Sequence, residues 1–207
     1  MEKLIDKIES LKKGEIGKLV NDRIKEFKDI DKKSTNELFN EMCFCILTAN
    51  FNAEKSIKIQ NEIGECFSND SEEDLAKKLQ ELGHRFPNMR ASYISESRNC
   101  KDMLKRVVES LKNDELREWL VKNVKGIGYK ETSHFLRNIG FDDFAIIDFH
   151  IIDILAKYDL IEKPKALTRK KYLEIEKILK KIAEKSDLNL AELDLYLWYM
   201  ETGKILK

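Results

Sequence analysis

Apolar residues recur at helical spacing along almost the whole chain. Leu4, Ile5, Ile8 and Leu11, then Ile16, Leu19, Val20, Ile24 and Phe27, predict amphipathic helices over 2–13 and 15–28, split near Gly14. Ser34-Thr35-Asn36-Glu37 reads as a capping box, in which the hydroxyl takes a first-turn amide and Glu37 reaches back. It opens 38–49, whose apolar density (Leu38, Phe39, Met42, Phe44, Ile46, Leu47) predicts a central buried helix. Further helices are predicted over 53–67, 71–82, 88–111 with an interruption near Asn99, 115–124, 129–138, 150–158, 168–185 capped by Thr168, and 190–202. Gly83-His84-Arg85-Phe86-Pro87 is a tight polar and aromatic corner. No stretch alternates convincingly as a strand, and no repeat or low-complexity linker interrupts the pattern. The expectation is an all-α protein, a single unit over 1–207 built of two helical subdomains.

Composition supports that class: of 207 residues 37% are charged, with only 2 Pro and 8 Gly. The formal net charge is zero, so the molecule is no polycation and nucleic-acid binding would need a local basic face. Residues 163–181 offer one, with eight cations against Glu174 and Glu176, although a solvated helix face explains the run equally well. Cys43, Cys45, Cys66 and Cys100 have neither zinc nor iron–sulfur spacing, and Cys43 and Cys45 fall in an apolar run as reduced core residues. No signal peptide or run of about 20 apolar residues appears, so a cytoplasmic location is expected.

Chemistry concentrates in Val124–Asp148. Gly126 and Gly128 permit positive φ and close backbone approach between two helices. The amides of 126–130 would then face outward at a helix start as an anion site, for which a DNA phosphate is the obvious ligand; a plain tight turn is the alternative. Lys130 lies in the first turn of the second helix, where the helix dipole and burial disfavour an ammonium. It is therefore either a nucleophile toward sugar C1′, through a Schiff base, or a phosphate contact. Asp148 emerges from the apolar run 144–147 and would stabilise positive charge on a sugar, cap the helix after it, or both.

Gly126-Ile127-Gly128-Tyr129-Lys130, with Asp148 and His150 downstream, resembles the helix-hairpin-helix DNA glycosylase superfamily, with the motif at about 115–138. KGIGYKETSHFLRNIG, CFCILTAN, LGHRF and LDLYLWYMETGK resemble its second branch of 8-oxoguanine DNA glycosylase/lyases, from Cys43 to the C-terminus. The resemblance implies a DNA-binding cleft between the subdomains and two linked activities. Lys130 would attack C1′, expel 8-oxoguanine and permit β-elimination on the 3′ side. Asp148 would help deprotonate Lys130 and stabilise the oxocarbenium-like sugar.

The resemblance also implies binding roles. Gly126 and Gly128 hold the backbone, and His150 contacts a phosphate. Asn50 fills the gap left by the flipped base. Arg85 reads the orphaned cytosine, with His84 or Phe86 as a wedge. Trp198, a core residue by periodicity alone, would stack on the flipped base. The carboxylate of Lys207 would accept from N7–H, which 8-oxoguanine has and guanine lacks. The implied partner is double-stranded DNA containing 8-oxoguanine, bound by a monomer away from membranes, and neither a metal nor an organic cofactor is needed. Phe149 stands where the pattern calls for a basic residue, and the cysteine cluster of the endonuclease III branch is missing. Two other readings fit the same motif, an oxidised-pyrimidine glycosylase/lyase and a non-catalytic helix-hairpin-helix module.

Overall fold

The computed structural model describes residues 1–28 and 34–207, and the regular secondary structure of the described residues is all helical, with no strand among them. The helices are α1 (Glu2–Lys12), α2 (Glu15–Lys28), α3 (Thr35–Thr48), α4 (Ala53–Ile63), α5 (Glu72–Glu81), α6 (Pro87–Ser97), α7 (Lys101–Ser110), α8 (Asn113–Asn123), α9 (Tyr129–Asn138), α10 (Phe149–Lys157), α11 (Arg169–Lys185) and α12 (Leu190–Thr202). They form two compact units, Met1–Asp29 with Leu136–Lys207, and Ile30–Phe135. The division falls inside α9.

In the Ile30–Phe135 unit, α3 is the centre. Its capping box is formed, with the Glu37 N–H donating to Ser34 Oγ at 3.3 Å and the Ser34 N–H to Glu37 Oε2 at 2.7 Å. Phe39, Met42, Phe44, Ile46 and Leu47 are fully buried, as are Cys43 and Cys45, which form no disulfide among the described residues. Helices α4, α6 and α7 pack around it, and α5 lies against α6. The segment predicted as one helix over 53–67 changes character at Gly64, where a 3-10 turn (Gly64–Ser68) takes over. Gly64 is pressed on the Asn40 side chain, and an added Cβ would stand 2.5 Å from its amide nitrogen. The interruption expected near Asn99 is a 3-10 turn at Arg98–Cys100.

The other unit is centred on α12, where Leu190, Ala191, Leu193, Leu195, Tyr196 and Leu197 are buried on all sides. It is wrapped by α1, α2, α10 and α11. The buried acid of α12, Asp194, forms an ion pair with Arg137, whose guanidinium lies 4.9 Å from the centre of the Phe27 ring. Pairing is what makes two buried charges tolerable in an otherwise apolar core. Thr168 caps α11 as its sequence position predicts, by accepting from the Lys171 N–H at 3.3 Å. No described helix is long and apolar enough to cross a membrane.

Candidate active site and nucleic-acid interface

Helix α8 ends at Asn123 because Val124 turns to an extended conformation, and α9 begins at Tyr129. Between them Gly126 has φ +84° and lies against the Tyr93 ring, where an added Cβ would sit 2.2 Å from a ring carbon. Both the backbone conformation and the close approach therefore require glycine. Gly128 differs from expectation, because it is not among the residues with positive φ. Its role is at the helix start. The Gly128 N–H donates to Glu131 Oε2 at 3.1 Å, the backward half of a capping box. One amide of the expected anion site is thus already held by a carboxylate of the protein.

Glu131 also answers the lysine. Lys130 Nζ lies 3.1 Å from Glu131 Oε1, with the lysine side chain 23% exposed. Burial pushes the Glu131 carboxyl up, but Lys130 and the amides of Glu131 and Gly128 outweigh it and hold the group below its ordinary range. The lysine whose ammonium form is expected to be disfavoured at a positive helix end has a counter-ion next to it. The pattern Gly128-x-x-Glu131 could have revealed this, since a glutamate at the third helical position commonly reaches back.

Asp148 is the N-cap of α10 and accepts from the Ile151 N–H at 3.0 Å through Oδ1. The apolar run before it is pinned by α11, a long-range arrangement with no local sequence signal. Tyr172 donates its hydroxyl to Ala145 O at 2.6 Å and accepts from the Ile147 N–H at 3.3 Å, while the Ala145 N–H donates to Glu176 Oε1 at 3.1 Å. Glu176 is therefore turned inward, which leaves Glu174 as the anion of the basic run 163–181 on its solvent side. After Asp148, Phe149 is 67% exposed and stacks on His150 with ring centres 3.9 Å apart. The His150 ring meets Trp198 edge-on at 4.8 Å. Trp198 is half-buried, and its indole N–H has no hydrogen-bond partner among the described residues. Lys207 is also half-buried.

The remaining expected DNA contacts share the Ile30–Phe135 unit. Asn50 follows α3, is exposed and takes the left-handed φ of 55°. Asparagine tolerates this region better than most side chains. Arg85 is exposed and lies 5.0 Å from the centre of the half-buried Phe86 ring. His84 is buried instead of projecting. Its Nδ1 accepts from the Phe86 N–H at 3.1 Å, so Nε2 carries the proton and donates to Leu47 O at 3.1 Å. Burial, the largest influence, lowers the His84 pKa, which agrees with this neutral tautomer. A ring committed on both nitrogens cannot serve as the wedge, so of the two residues expected there only Phe86 retains an exposed face.

An all-helical chain with a glycine hairpin leading into a helix whose first turn carries a lysine falls in the helix-hairpin-helix class. A family profile described as 8-oxoguanine DNA glycosylase matches residues 20–188, and the chain belongs to that family. It is 55% identical over 206 residues to the 8-oxoguanine DNA glycosylase/AP lyase of Methanocaldococcus jannaschii, covering 99% of each chain. It is 50% identical to the protein of that name from Korarchaeum cryptofilum, covering 99% of this chain and 98% of the other. A crystal structure of the M. jannaschii glycosylase/lyase in complex with a 15mer DNA containing 8-oxoguanine superposes with a TM-score of 0.96, covering 99% of each chain at 55% identity. The Thermotoga maritima 8-oxoguanine DNA glycosylase superposes with a TM-score of 0.94 at 44% identity, covering all of this chain and 99% of that one.

Proposed function

We propose that this protein excises 8-oxoguanine from double-stranded DNA and then cleaves the strand at the abasic site. The observation that carries the reading is Lys130 in the first turn of α9, directly after the hairpin of a chain that belongs to the 8-oxoguanine DNA glycosylase family. The resting ammonium, paired with Glu131, first gives up a proton. The neutral amine then attacks C1′ as the N-glycosidic bond breaks and the base departs with the bond's electrons. Ring opening gives a Schiff base between Nζ and C1′. Loss of a C2′ proton expels the 3′ phosphate by β-elimination, and water releases the lysine. No step calls for a metal or an organic cofactor.

Asp148 serves the same sequence as a carboxylate that offsets positive charge developing on the sugar and takes part in removing the lysine proton. In this reading Gly126, the remaining hairpin amides and His150 hold the phosphates, and Asn50, Arg85 and Phe86 manage the gap and the unpaired cytosine. Trp198 and Lys207 attend to the flipped base. The enzyme acts as a monomer on the cell's own DNA, in the cytoplasm.

The test is strand cleavage on duplexes that differ only in the lesion. Cleavage of the 8-oxoguanine duplex well ahead of thymine glycol and undamaged guanine is the expected result. Preference for thymine glycol would replace the substrate with an oxidised pyrimidine, and binding without cleavage of any duplex would make the protein a non-catalytic module.

A further inference from the structure

Arg90, in the first turn of α6, is only 4% exposed and has no ion pair among the described residues. An unpaired buried guanidinium is expensive, and a methionine or leucine would fill an ordinary core position at less cost. Its surroundings show what it does. Arg90 Nη2 donates to Ala49 O at 2.5 Å, immediately before the left-handed Asn50. The guanidinium lies 5.8 Å from the centre of the Phe86 ring and 5.6 Å from that of Tyr93. Tyr93 is the ring on which Gly126 of the hairpin rests. Burial disfavours the Arg90 charge, and Tyr93 and Glu131 pull the other way. One side chain thus touches the Asn50 turn, the Arg85–Phe86 corner and the support of the hairpin that carries Lys130, all inside the Ile30–Phe135 unit.

We infer that Arg90 is a positioning residue, which fixes the Asn50 turn and the Phe86 corner relative to the hairpin so that a base can be held out of the duplex. The inference rests on the glycosylase/lyase reading above. It predicts unequal damage to the two activities. Excising 8-oxoguanine needs a stacked, paired base to be extracted, against its stacking and pairing, and the gap filled behind it. A pre-formed abasic site has no base to extract, and its cleavage depends mainly on Lys130 reaching C1′.

Arg90→Met keeps volume and apolar contact while removing the donor and the charge. Single-turnover excision from an 8-oxoguanine duplex should fall about 100-fold, the scale expected when a displaced support misaligns reacting groups by about 1 Å. Cleavage of an abasic duplex should fall by less than about tenfold. Both rates are normalised to the fraction of enzyme trapped by borohydride on abasic DNA, so simple loss of folded protein cancels. Arg90→Lys, which keeps the charge and one donor for Ala49 O, should recover at least half of the lost excision on a logarithmic scale, and it carries the test if the methionine variant does not fold. In that case excision should drop more than abasic cleavage in the lysine variant. Equal losses on the two substrates, or no loss on either, overturns the role for Arg90. A wild-type protein that cuts neither duplex refutes the functional reading itself, which is a separate outcome.

Discussion

The helices that carry Lys130 and Asp148 begin in opposite ways. At α10 the functional candidate is itself the cap, since Asp148 supplies the acceptor that the Ile151 N–H needs. At α9 the candidate is a cation at the positive end of a helix, and the neighbour Glu131 supplies both the acceptor for the Gly128 N–H and the counter-charge for Lys130. A carboxylate at a helix start gains from the dipole and the cap together. A lysine there gains from neither, so the fold has placed an acid next to it. In the proposed mechanism the first site combines structure and chemistry in one residue, and the second divides them between two.

Substitution can separate the two duties of Asp148. Asparagine caps a helix about as well as aspartate, so Asp148→Asn should leave unfolding free energy within ~0.5 kcal/mol of wild type. It removes the charge, and excision should drop about 100- to 1000-fold, as when a transition-state electrostatic contact is lost. Asp148→Ala should match that kinetic loss and add about 1 kcal/mol of destabilisation in urea melts. Near-wild-type excision by the asparagine variant would leave Asp148 as a cap alone.

At α9 the structural duty belongs to Glu131. Glu131→Ala leaves the Gly128 N–H without its acceptor and should cost about 1–2 kcal/mol, whereas Glu131→Gln, which can still accept from it, should cost less than ~1 kcal/mol. Because the folded Glu131 carboxyl lies below its ordinary value, its contribution is full above about pH 4.3 and disappears as pH falls through the lowered value. The acid side of the stability profile should therefore be shallower in Glu131→Gln than in wild type. Parallel profiles would show that the Lys130–Glu131 contact contributes no stability.

A smaller effect is expected at His84. Its folded pKa is depressed, so stability is full above about pH 6.5 and is lost as pH falls through the lower folded value. Protonation would set a second N–H against that of Phe86 and open the corner. His84→Gln should flatten this part of the profile, and an unchanged slope between pH 7 and pH 5 would contradict the buried neutral tautomer.

Much of this organisation is written locally. The limits of α9 and α12, the caps at Ser34 and Thr168 and the central burial of α3 follow from spacing and capping chemistry within a few residues. Lys130 and Asp148 stood out because a lysine after a glycine hairpin and an acid after an apolar run are both locally unusual. The signal of Glu131 is local as well, but a glycine after Gly126 points to a flexible turn more readily than to a helix cap, which hides the Gly128–Glu131 bond. The parts out of reach depend on distant partners. Nothing near Arg90 announces Ala49 O, and nothing near Ala145 announces Tyr172 and Glu176. His84 looked like a projecting ring because its acceptor, Leu47 O, is 37 residues away.

The central claim is that Lys130 is the nucleophile, and borohydride trapping on an 8-oxoguanine duplex tests it most directly. The account predicts a covalent protein–DNA adduct with wild type, and none with Lys130→Gln although that variant still binds the duplex. An adduct of undiminished yield with Lys130→Gln, or no adduct with wild type, would contradict it.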